Sequence, residues 1–118
     1  DGRTIVDCSR LVGEQRLIKS EAELSAIRTA ATYCAAGMHA AQQHAHAGMT
    51  EAQVSALVYG AMMERGCEYP AYPPFVAAGH NGCLGHYTGA QDVLKEGETL
   101  FLEIGGCHGR YHAAMMRT

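Results

Sequence analysis

The sequence predicts an α+β domain in which two helices cover one face of an antiparallel sheet, and three observations predict it. Two capping signatures, Ser20 with Glu23 and Thr50 with Gln53, each open a run of apolar residues at helical spacing. A proline cluster, Pro70, Pro73 and Pro74, then excludes further helix and forces an extended path. Beyond it lie short apolar runs punctuated by glycine, the pattern of strands and tight turns.

Taken in order, residues 1–18 read as a leftover piece, with Thr4-Ile5-Val6 a short strand and Leu11 to Ile18 a mixed connector. From Ser20, the residues Leu24, Ile27, Ala31, Cys34 and Met38 give one apolar face, and Gly48 stops that helix. Val54, Leu57, Val58, Ala61 and Met62 mark a second amphipathic helix after Thr50, closed by Gly66, so the two pack as an antiparallel pair. Phe75-Val76-Ala77-Ala78 reads as a short strand, followed by a turn at Gly79-His80-Asn81-Gly82. The last twenty residues read as a hairpin, with Gly105-Gly106 and Gly109 permitting its tight connection. The chain stops at Thr118 on a strand that ought to have a neighbour, which reads as a fragment.

Composition bounds the function. At 118 residues, 47% hydrophobic and 18% charged, the chain suits one soluble globular domain. A net charge of −3 without a run of Lys or Arg excludes nucleic acid and a polybasic membrane anchor as partners. No apolar stretch approaches the ~20 residues of a membrane helix. Five cysteines, odd in number and never Cys-x-x-Cys, suit free thiols in a reducing cytoplasm rather than a disulfide framework.

Glu103 stands out as an acid inside the apolar run Leu100 to Ile104. A carboxylate there must be paired, bind a cation or hold its proton, unless the strand lies at an edge and the acid reaches water. His86 follows a glycine-rich turn and is either a general acid or base or a surface residue. His112 and Ala114 share one face of the second hairpin arm, where His112 could reach Glu103 diagonally. His44 and His46 read as solvated residues near a helix C-terminus, and the six methionines as core filler.

Read together, the segments resemble the creatinase/aminopeptidase P/methionine aminopeptidase superfamily, the pita-bread fold. The likeness runs from Arg16-Leu17-Ile18-Lys19-Ser20-Glu21-Ala22-Glu23-Leu24 through Gly48-Met49-Thr50-Glu51 and Pro73-Pro74-Phe75-Val76-Ala77-Ala78-Gly79 to His86-Tyr87 and Arg117-Thr118. It implies that residues 1–15 are the tail of an N-terminal domain and linker, and that 16–118 form the first half of a pita-bread catalytic domain.

Metal-dependent members of that superfamily carry an aspartate on each hairpin arm, eleven residues apart. Here those positions hold Glu103 and Ala114, and alanine has no ligand atom. The resemblance therefore points to the metal-free creatinase or ectoine-hydrolase branch: a hydrolase of C–N bonds in small nitrogenous compounds, with no cofactor. His86 and Glu103 are the expected catalytic residues, and Tyr87 and His112 the expected substrate contacts. A metal-dependent Xaa-Pro aminopeptidase or dipeptidase with two divalent cations such as Mn, Co or Zn is the alternative, and a non-catalytic binding module is a further one. Either enzyme takes a small-molecule substrate and forms a cytoplasmic homodimer when full length.

Overall fold

The computed structural model describes residues 2–118; Asp1, the first residue of the expected tail, lies outside them. Helix α1 (Ser9–Leu17) is followed by α2 (Glu21–His44) and α3 (Glu51–Glu64), then strand β1 (Phe75–Ala78), a single 3₁₀ turn (Gly79–Cys83), and strands β2 (Leu100–His108) and β3 (Tyr111–Arg117). The sheet is antiparallel throughout, in the order β1-β2-β3.

Both expected capping boxes form. Ser20 and Glu23 bond reciprocally at the start of α2, and Thr50 and Gln53 do so at the start of α3. Glu23 also accepts the Tyr111 hydroxyl at 2.8 Å, so the carboxylate that caps α2 ties it to β3. That bonding, led by the Ser20 backbone amide, holds the Glu23 carboxyl below its usual pKa.

The core lies between the helices and one sheet face. Tyr33, Cys34, Met38 and Ala41 from α2 meet Val54, Val58 and Met62 from α3 and Val76, Leu102 and Ile104 from the sheet. Helix α2 presses so closely on β2 that a Cβ added at Gly106 would stand 2.5 Å from the Ala30 carbonyl oxygen. Only glycine permits that approach.

Three expectations are corrected. Thr4-Ile5-Val6 forms no strand, because no other segment offers it a ladder, and Ile5 is 97% exposed. The segment expected as a connector is instead helix α1, with Asp7 accepting the Ser9 backbone amide at 2.9 Å just ahead of it and an Arg10–Glu14 pair at 3.0 Å along it. It buries no residue, so helical apolar spacing could not reveal it.

Gly105 and Gly106 sit inside β2 rather than in the turn. The connection is the two-residue Gly109-Arg110, both at positive φ (56° and 68°), the backbone of a type I′ hairpin. Arg110 is held there by its guanidinium over the Tyr69 ring at 5.2 Å and a 2.8 Å bond to the Tyr69 hydroxyl. Among the described residues no helix is long and apolar enough to cross a membrane.

Candidate active site

Strand alternation splits β2 into two faces. Leu102, Ile104 and Gly106 turn toward the helices, while Phe101, Glu103, Gly105 and Cys107 turn away from them. Glu103 pairs with Phe75 on one side and Met116 on the other, which places all three on the face not covered by the helices.

A column of rings is built on that face. Tyr72 stacks on Phe75 at 5.3 Å, and Phe75 stacks on His86 at 5.4 Å. Tyr72 lies over Gly105, where an added Cβ would come within 2.9 Å of the ring. Together Tyr72, Pro73, Phe75, His86, Thr88 and Glu103 line a cavity of about 400 Å³. His86 and Glu103, the two residues expected to be catalytic, therefore meet in one cavity.

The electrostatics of this cavity follow from its walls. Neither lysine nor arginine lines it, and Glu103 is its one carboxylate. The Tyr72 hydroxyl is buried with no hydrogen-bond partner among the described residues. Burial, reinforced by the nearby Glu103 charge, pushes the Tyr72 phenol up to about 12. His86 is exposed and adopts φ 53°, a left-handed conformation that costs a non-glycine residue of order 1 kcal/mol.

The two expected substrate contacts go elsewhere. His112 pairs with Cys107, two residue pairs beyond the Gly105–Ala114 pair, so it is not the diagonal neighbour of Glu103. Four residues along a strand is roughly 13 Å. Its ring instead lies edge-on to Tyr69 and borders a separate cleft of about 670 Å³ beside α1. Tyr87 is half-buried and folds back over Gly89, where any Cβ would overlap its hydroxyl.

Glu51, on the first turn of α3, is fully buried, with 0% exposure. Its Oε1 accepts the Ala78 amide at 2.7 Å and Asn81 Nδ2 at 3.1 Å, and its Oε2 accepts the Asp92 amide at 3.1 Å. Asn81 Nδ2 also donates to Asp92 Oδ2 at 2.8 Å. Desolvation raises the Tyr87 phenol pKa, and the nearby carboxylates of Glu51 and Asp92 raise it further. In the sequence, Glu51 looks like an ordinary acid in a first helical turn.

The hairpin does not complete a metal site. Ala114, exposed and opposite Gly105, presents a methyl group two residues along from the partner of Glu103. Among the described residues no three His, Cys, Asp or Glu side chains stand where they could hold an ion. Glu103 could supply one carboxylate, which is not a donor set.

The model of metallopeptidase family M24 matches residues 25–118. The chain is 29% identical to Xaa-Pro aminopeptidase of Escherichia coli over 98% of its own length and 26% of that protein's. It is 35% identical to an uncharacterised hydrolase/peptidase of Sinorhizobium fredii, over 97% of the chain and 30% of the relative. The crystal structure of X-Pro aminopeptidase from Thermotoga maritima superposes with a TM-score of 0.88 at 27% identity, covering 93% of this chain and 31% of that one. The chain thus spans between a quarter and a third of the length of the proteins it matches. These matches overturn the expectation of no cofactor, since the family is one of metallopeptidases, and they do not support the creatinase-like branch. A donor set is shared among several segments of a chain, so alanine at 114 does not by itself exclude a metal.

Proposed function

Because this chain belongs to metallopeptidase family M24, we propose that it is the first half of the pita-bread catalytic domain of a hydrolase that cleaves the C–N bond between a residue and a following proline. The observation that carries this reading is the convergence of His86 and Glu103 in one cavity walled by Tyr72 and Phe75. Residues 1–15 are then the tail of a preceding domain and its linker. The relatives named as Xaa-Pro peptidases support the substrate class. Five free cysteines suit a cytoplasmic setting, and the resemblance to the pita-bread superfamily suits a homodimer.

Peptide hydrolysis needs a proton taken from water and one delivered to the departing nitrogen. His86 suits that exchange, since histidine is the side chain whose charge changes near neutral pH. Its exposed ring stacks on Phe75 at the cavity wall. Glu103 orients the substrate through its negative charge, while Tyr72 and Phe75 supply the flat apolar wall that a small ring would pack against. The substrate contacts expected of Tyr87 and His112 fall to these two residues. Glu103 is the donor that this segment would offer to divalent cations, whose chemistry would be to polarise the scissile carbonyl and strengthen water as a nucleophile.

The test is hydrolysis by the intact protein of matched dipeptides, Xaa-Pro against Xaa-Ala, before and after dialysis against a chelator. Preferential Xaa-Pro cleavage that the chelator abolishes is the expected result. Equal cleavage of both, or cleavage of neither, contradicts the substrate assignment.

A further inference from the structure

We propose that Glu51 is the positioning residue of His86: its buried carboxylate clamps both ends of the segment that carries the imidazole, and so fixes where the ring stands over Phe75. The proposal rests on the reading of His86 as the proton carrier.

Three observations lead there. First, a fully buried carboxylate persists only where hydrogen bonds replace its water, and Glu51 draws its three donors from Ala78, Asn81 and Asp92. Those residues are the two ends of one excursion, with His86 between them. Second, the backbone repeats the clamp: Glu51 N–H donates to the Asp92 carbonyl at 2.9 Å, Ala52 N–H to the Ala90 carbonyl at 3.1 Å, and Thr50 bridges Val93. Third, nothing local holds His86. It is exposed, sits at positive φ, and its ring touches Phe75 by stacking without any side-chain hydrogen bond among the described residues. The neighbouring Tyr87 lies in the field of Glu51, which links the residue next to His86 to the same clamp. The position of the imidazole is therefore set at the ends of its segment.

A double-mutant cycle in the intact protein tests this. Glu51→Gln keeps the size of the side chain but turns one acceptor into a donor that faces backbone N–H groups. In folded enzyme, checked by circular dichroism, Glu51→Gln should lower kcat on an Xaa-Pro dipeptide by about tenfold or more while KM moves less than about threefold. In a His86→Ala background the same substitution should cost less than about twofold, because the residue it positions is gone. An equal loss in both backgrounds, or wild-type kcat in folded Glu51→Gln, overturns the proposal.

If Glu51→Gln does not fold, Asn81→Ala removes one of the three donors, and its loss of kcat must likewise vanish in the His86→Ala background. Unchanged turnover in His86→Ala alone would instead sink the catalytic reading. In that case the His86 ring resonances decide the clamp: Glu51→Gln should shift and broaden them and leave those of His112 unmoved. Undisturbed His86 resonances reject the clamp.

Discussion

Ile104 and Glu103 are neighbours in the chain and opposites in what surrounds them. On the helix side, Ile104 has 0% exposure and Gly106 lies so near the Ala30 carbonyl that no side chain fits. On the other side Glu103 is half-buried with no ion pair among the described residues, Ala114 and Met116 are exposed, and the Tyr72 hydroxyl is buried with no hydrogen-bond partner among those residues. Two acids of the molecule, Glu51 and Glu103, repeat the contrast. Glu51 is buried with its bonds complete, while Glu103 is open with bonds still to make. One face is finished as structure, and the other is left with polar groups unsatisfied.

Substitutions can break that contrast. On the packed face, Ile104→Ala should cost roughly 2–5 kcal/mol of stability in a denaturant titration, because it opens a cavity in the core. Gly106→Ala should cost about 1–3 kcal/mol, since backbone rather than a flexible side chain blocks the new methyl. A loss below about 0.5 kcal/mol in either would mean that the helix side is looser than described.

On the open face, Ala114→Asp should leave stability within about 0.5 kcal/mol, as an exposed strand position allows. It should also tighten divalent-ion binding in calorimetry, by placing a second carboxylate on the face of Glu103. Tyr72→Phe should have the smallest effect at neutral pH, because it removes a hydroxyl that has no partner to lose. Its signature is in alkali. The native phenol keeps its proton up to about 12 while an unfolded tyrosine gives it up near 10. This contribution to stability is complete below pH ~10 and is lost as pH rises through ~12. Tyr72→Phe should flatten that stretch of the stability–pH curve; an unchanged slope would show that Tyr72 does not feel the burial assigned to it.

The same contrast governs how much could be read from the sequence. The packed face was legible because its signals are local: both capping boxes and the strand Phe75–Ala78 form as read. Helix α1 was not, since it packs on nothing and so carries no apolar stripe. The Gly105-Gly106 pair looked like a turn, but its glycines answer the approach of Ala30 on one face and Tyr72 on the other, which only the folded chain reveals. Glu103 could be found because an acid inside an apolar run is conspicuous. His112 was misjudged because one strand position fixes its face, while its distance from Glu103 depends on the register. Tyr72 lay hidden in a proline-rich stretch, and Phe75 was legible as a strand residue but not as a wall of the cavity. Glu51 was invisible because nothing in a first helical turn says whether its acid points to water or inward.

The measurement that bears most directly on the division between the two faces is kcat and thermal midpoint, taken together, for His86→Ala in the intact protein. If the open face is where chemistry happens, hydrolysis of an Xaa-Pro dipeptide should fall by about 10²–10⁴ while the midpoint stays in place. Undiminished hydrolysis, or a fall that merely follows a lowered midpoint, would contradict it.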